Sequence, residues 1–127
     1  MTTAHGIGVL ATIEDGTPRL RPMEFSRVHG ELWAATSRQS HQYRDTADGQ
    51  HVEILFLDEE YDQARVRGVL EWSTDAEDCR HLWQVREDMA HWFTGCDDPN
   101  LVILKVIPEQ ADYKSTRTDE IYRRKAA

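Results

Sequence analysis

The stretch Leu32-Trp33-Ala34-Ala35-Thr36-Ser37-Arg38-Gln39-Ser40-His41-Gln42 decides how this chain is read. An apolar run of strand formers passes straight into a hydroxyl-rich turn, and the turn opens onto a helix. A helix start gathers backbone N–H groups that lack intrahelical partners, together with the positive end of the helix dipole. Hydroxyls placed beside it make a cradle suited to a phosphate. Ser37 and Ser40 also have a plainer use as helix caps, and the local pattern by itself favours that use. Strand, cradle and helix in this order are what holds the phosphate tail of a nucleotide-like cofactor, so the surrounding chain has to decide.

Toward the N-terminus, Ile7 to Ile13 is a β-rich run closed by Glu14-Asp15-Gly16-Thr17-Pro18, whose Asp-Gly pair suits a tight hairpin. The return strand runs from Arg19 to Phe25. Pro22 within it has no N–H to give a ladder, which predicts an edge or a bulge. His29-Gly30 makes the next turn, and a third strand covers Glu31 to Thr36. Toward the C-terminus, the helix after Ser40 runs through Tyr43 and Ala47 and stops near Gly49, a suitable C′ residue. Val52 to Leu57 is an apolar strand. The acidic run Asp58-Glu59-Glu60-Tyr61-Asp62 lacks the glycine and spacing of a calcium loop and reads as a solvated turn.

Ala64 to Trp72 forms a long strand in which Gly68 marks a bulge or a close approach by another group. Thr74-Asp75-Ala76-Glu77 fits a capping box with Thr74 as N-cap. The helix it opens carries Cys79, Leu82, Trp83, Met89, Ala90 and Phe93 and is expected to end at Gly95. That stripe reads as core packing. A last apolar strand covers Leu101 to Ile107, and Ala111 to Lys114 can extend the sheet beyond Pro108. The tail from Thr118 to Arg124 is polar, with helical propensity and little to bury.

The chain has 127 residues, enough for one domain with one core. With 39% apolar and 30% charged residues it has the make-up of a soluble globular protein. A formal net charge of −8 argues against nucleic acid as a partner, because binding phosphates along a strand needs a cationic face. No apolar run reaches the ~20 residues of a membrane span, and the N-terminus has no basic-then-apolar secretory pattern, so a cytoplasmic location with no membrane partner is expected. Cys79 and Cys96, 17 positions apart, read as reduced structural thiols, and the scattered histidines argue against a metal site.

About six hairpin-linked strands with two or three flanking helices predict a mainly β (α+β) single domain, an antiparallel split β-barrel. The run Gly8-Val9-Leu10-Ala11-Thr12, then Asp15-Gly16-Thr17-Pro18, Arg21-Pro22-Met23, the Leu32 to Ser37 strand, Ser40, the Val52 to Leu57 strand and Val66-Arg67-Gly68 together resemble the pyridoxamine 5′-phosphate oxidase-like split barrels. The resemblance spans roughly residues 6–113 and is closest to the short, general-stress-protein-like branch. It implies a homodimer with flavin mononucleotide (FMN) bound at the subunit interface. Deazaflavin and haem are the alternative cofactors.

Residue by residue, the resemblance gives Arg21 to the flavin phosphate, the segment Pro22, Met23, Glu24 to the edge of the ring, and Thr36 and Ser40 to the phosphate as hydroxyl contacts. Ser37 joins them from the local hydroxyl-rich turn, and Arg38 or Arg44 stands where it can compensate for a missing basic residue. Gln63 matches a glutamine that approaches the ring. His41-Gln42 stands where relatives carry a basic pair or a lysine, which implies a weakened phosphate site. The tail Asp119 to Lys125 lacks the arginine–histidine motif of true vitamin B6 oxidases, and Ser26 stands near the place of their lysine. The implied activity is therefore an FMN-binding oxidoreductase of undefined substrate. The alternative is a non-catalytic binding or sensing dimer. No catalytic residue is assigned, because flavin itself supplies the redox chemistry.

Overall fold

Two tight turns start the sheet. Asp15 and Gly16 (φ 50° and 78°) join β1 (His5–Glu14) to β2 (Thr17–Val28), and His29 and Gly30 (φ 52° and 77°) join β2 to β3 (Glu31–Ser37). Positive φ at both turn residues is type I′ geometry, whose twist matches that of the strands it connects. The computed structural model describes residues 5–86, 88–115 and 121–125. Its remaining strands are β4 (His51–Leu57), β5 (Gln63–Ser73), β6 (Leu101–Lys114) and β7 (Ile121–Lys125).

The strands lie in the order β3-β2-β1-β4-β5-β6-β7, every pairing is antiparallel, and β3 also pairs with β6. The β3–β6 contact closes the first six strands into a barrel, as expected. β7 lies along β6 opposite 110–114, where Arg123 Nε donates to Asp112 Oδ1 at 2.8 Å. The tail's helical propensity is thus overridden at 121–125 by pairing to an available strand edge.

Closure depends on how little β2 and β3 share. They pair only over Ser26↔Trp33, Arg27↔Leu32 and Val28↔Glu31, whereas β3 pairs with β6 from Leu32↔Val106 to Ser37↔Leu101. Residues 17–25 of β2 therefore keep β1 on one side and, among the described residues, no strand on the other. Pro22, opposite Val9, falls in this half-paired stretch, where a missing N–H removes no bond on the open side.

Side-chain alternation divides the apolar residues between two clusters. Leu10, Phe25, Ala34, Ile54, Leu70 and Leu104 fill the barrel. Trp33, Leu101 and Ile103 point outward, where with Val28, Cys79 and Leu82 they pack beneath α2 (Ala76–Val85). Cys79 and Cys96 are both free thiols in or against this outer cluster. No helix among the described residues is long and apolar enough to cross a membrane.

Both helices differ from their expected limits. The N-cap of α2 is Asp75, whose carboxylate accepts from the Asp78 N–H at 3.3 Å, and not Thr74. The hydroxyl of Ser73, the last residue of β5, accepts the Asp75 N–H at 3.2 Å and donates to Asp78 Oδ2 at 2.6 Å, which sets the helix start one residue later. At its other end α2 stops at Val85 instead of continuing to Gly95. Arg86 is extended (φ −125°, ψ 120°), and a separate 3₁₀ turn follows at Asp88–His91. α1 (His41–Asp45) is also shorter than expected. It ends at Thr46, whose N–H bonds the Gln42 carbonyl, and Gly49 sits beyond it in a turn held by a 2.8 Å bond from its N–H to the Leu70 carbonyl.

The register of β5 against β6 shifts between Arg67 and Gly68, with Gly68 opposite Pro108. A Cβ on Gly68 would lie 2.2 Å from the Ile107 carbonyl oxygen, a backbone atom that cannot swing away. Gly68→Ala is therefore expected to lower stability by about 1–3 kcal/mol, the range for overpacking. Urea unfolding measures this, and a midpoint equal to that of the unmodified protein would contradict it.

Candidate functional site

Where β2 parts from β3, a groove of about 460 Å³ opens, within the usual size range of small-molecule sites. Pro22, Met23 and Glu24 line it from the open edge of β2, and Ala35, Thr36 and Ser37 from β3. The segment after α2 adds Arg86, Met89, Trp92 and Phe93, and Asn100 completes the lining just before β6. Five of the predicted residues, Pro22, Met23, Glu24, Thr36 and Ser37, thus meet in one place.

The post-helical wall was not legible in the sequence. Met89 and Phe93 fit a helical stripe, and Arg86 and Asp88, two apart, would face different ways on a helix. In the fold the Arg86 side chain is only 8% exposed. Its Nη2 donates to Glu24 Oε2 at 3.1 Å and to Asp88 Oδ2 at 2.8 Å, and its Nε donates to Asp88 Oδ1 at 3.1 Å. This fork ties the chain leaving α2 to the edge of β2 and holds the Asp88 carboxyl below the usual carboxylate range.

The hydroxyls of the expected cradle already have partners. Ser37 Oγ donates to Asn100 Oδ1 at 2.9 Å and accepts the Gln39 N–H at 3.0 Å. Ser40 caps α1: its Oγ accepts the Tyr43 N–H at 3.1 Å and donates to the Ser37 carbonyl at 2.7 Å. Gln42 is buried beneath α1, its Nε2 donating to Met23 Sδ at 3.1 Å. Arg38, His41 and Arg44 are exposed, and His41 has Asp45 at 3.9 Å as a partner when protonated. Gln63 begins β5, separated from β2 by β1 and β4, with a buried Oε1 that lacks a hydrogen-bond partner.

Arg21 does not line the groove. It lies on the Met23 and Phe25 side of β2, and its Nη1 bonds Glu14 Oε2 as an ion pair. Glu14 is buried and also accepts the Thr12 hydroxyl at 2.9 Å. The Arg21 hydrogen bond outweighs burial and holds the Glu14 carboxyl below its ordinary value of 4.5. A carboxylate whose pKa is depressed on folding stabilises the fold above its unfolded value, and this contribution is lost as pH falls through the lower folded value. Stability should thus decline below pH 4.5, and part of that decline should vanish in Glu14→Gln. Identical acid-unfolding profiles for the two proteins would contradict it.

Comparison with known proteins agrees with this geometry. The sequence profile of the family described as Pyridoxamine 5′-phosphate oxidase like matches residues 1–123. General stress protein 26 of Bacillus subtilis (strain 168) is 33% identical over 109 residues, covering 83% of this chain and 76% of that protein. The crystal structure of General Stress Protein 26 from Bacillus anthracis str. Sterne superposes with a TM-score of 0.75 at 26% identity, covering 93% of this chain and 88% of that one. The general stress FMN/FAD binding protein of Xanthomonas citri shares the fold, with a TM-score of 0.74 at 24% identity over 95% of this chain and 87% of its own. A profile match over nearly the whole chain, joined to a closed barrel that splits between β2 and β3, means that this protein belongs to the pyridoxamine 5′-phosphate oxidase-like family.

Proposed function

We propose that this protein is a homodimeric flavin-binding protein of the oxidoreductase type, with the flavin ring held in the groove between β2 and β3, and that it is not a vitamin B6 oxidase. The observation that carries the reading is the groove itself, where an unpaired strand edge at 22–24 faces Thr36 and Ser37. An open β edge offers backbone N–H and C=O groups in a row, which suits the alternating donors and acceptors along one side of an isoalloxazine ring. Met89, Trp92 and Phe93 add an apolar and aromatic surface of the kind that planar ligands favour. The FMN/FAD binding named for the Xanthomonas citri relative supports the same ligand class.

The residues of the ring end fit a flavin; those of the phosphate end fit it less well. A bound flavin would supply hydride and electron transfer, while the protein supplies position and exclusion of water. Thr36 and the β2 edge orient the ring. Arg86 fixes the wall against that edge through Glu24. Titrating FMN fluorescence with the protein is expected to give a saturable change at one flavin per chain, and bleaching of that flavin by a reduced nicotinamide would assign turnover. A bound flavin that no donor reduces would favour the binding or sensing role, and no fluorescence change at all would contradict the reading.

The dimer rests on a separate observation. On the outer side of the β2–β1–β4 face, Ile7 (69% exposed), Leu20 (71%), Ile13 and Leu57 stand uncovered in a single chain. Grouped apolar residues on a sheet face away from the helices suit a second copy of the chain. A second copy is also the way to bring Gln63, remote from the groove of its own chain, toward a groove. Sedimentation should give twice the 14.7 kDa of one chain, and Leu20→Glu should shift the protein toward monomer. A monomeric unmodified protein would contradict the proposal.

A further inference from the structure

We propose that Glu14 sets the charge preference of the flavin site, acting as an internal counter-ion that occupies Arg21 and so withholds it from the phosphate of a bound flavin. This rests on the flavin reading above and concerns what that site selects. The buried polar residues of the described chain are Thr12, Glu14, Ser26, Gln42 and Thr46. All but Ser26 gather at the end of the barrel beneath α1. Glu14 takes the Arg21 guanidinium and the Thr12 hydroxyl on one oxygen, and its backbone bridges to Thr46, whose buried Oγ1 has no hydrogen-bond partner.

The guanidinium expected to meet phosphate is therefore already neutralised by a carboxylate from inside the fold. Among the described residues, the buried guanidinium that lines the groove, Arg86, is itself taken up by Glu24 and Asp88. Gln42, which stands where the resemblance implies a basic residue, has its amide directed at the Met23 sulfur. Ser37 and Ser40 have their hydroxyls committed to Asn100 and to the Ser37 carbonyl. A dianionic phosphate brought to Arg21 would either share it with Glu14, placing two anions side by side, or displace Glu14 and leave a buried carboxylate unpaired. Both are unfavourable away from bulk water. A flavin without the phosphate meets neither penalty. The site thus discriminates little between riboflavin and FMN, and the residue responsible is Glu14.

The test compares FMN and riboflavin binding, by flavin fluorescence, to the unmodified protein and to Glu14→Gln. Gln keeps the size and a hydrogen-bond acceptor while freeing the Arg21 charge. The expected result is that FMN binds about tenfold more tightly to Glu14→Gln while riboflavin changes by less than about threefold, because the freed guanidinium can then make one charge-assisted hydrogen bond to phosphate. Equal changes for both ligands, or none for either, would overturn the proposal.

If Glu14→Gln does not fold, the neutral pair Glu14→Gln/Arg21→Gln gives the same answer. Its ratio of FMN to riboflavin affinity should stay within about threefold of the unmodified protein, since one charge of each sign has been removed. A selective loss of FMN of about tenfold would mean that Arg21 grips phosphate despite Glu14, and would overturn it. If neither flavin binds any form, the flavin reading fails on its own, and the role of Glu14 is then read with inorganic phosphate. A thermal midpoint raised by phosphate more in Glu14→Gln than in the unmodified protein supports the counter-ion, and equal shifts overturn it.

Discussion

The structure turns on three residue pairs. β2 and β3 are joined by a two-residue turn and would, as an ordinary hairpin, pair along their whole length. They pair only at 26–28 with 31–33, and β3 then gives its hydrogen bonds to β6. Backbone groups freed from one neighbour must find another, so the early parting of β2 and β3 is sustained by the six-residue pairing that closes the barrel. The same parting leaves the edge of β2 open at 22–24, makes Pro22 tolerable, and creates the groove. Arg86 completes the arrangement by tying the chain beyond α2 to Glu24 on that edge. Closure of the barrel and opening of the site are one event.

Much of this was legible in the residues. Asp15-Gly16 and His29-Gly30 announced their turns because both positions demand positive φ. Pro22 marked a strand short of a neighbour, and Gly68 marked the point where the Ile107 backbone comes within reach. What was not legible came from contacts distant in sequence. The stripe from Cys79 to Phe93 has helical spacing, yet the helix breaks at Arg86 because a guanidinium bonded to both Glu24 and Asp88 fixes an extended residue there. The tail at 121–125 has no strand signature of its own, and the edge of β6 supplies one. The site showed the same division. Its β2 lining followed from the family resemblance and the hydroxyls at the end of β3 from local pattern as well, while Arg86, Trp92 and Asn100 entered only through the fold.

The arginines that touch this region share a feature. Arg21 is paired with Glu14, and Arg86 with Glu24 and Asp88, so each guanidinium is satisfied by carboxylates of the same chain. The other basic residues around the turn, Arg38 and Arg44, are exposed. The groove therefore presents a backbone edge, hydroxyls and aromatic surface, with little uncompensated positive charge. Such a lining suits the edge and faces of a planar heterocycle better than a charged tail.

Whether flavin occupies the groove is read by backbone hydrogen exchange with and without saturating flavin. Binding there slows exchange at Met23 and Glu24, at Thr36 and Ser37, and through 88–93, with the outer faces of β1 and β4 affected only where a second chain covers them. Protection confined to surfaces outside the groove, with 23–24 and 36–37 exchanging as they do without ligand, would contradict it.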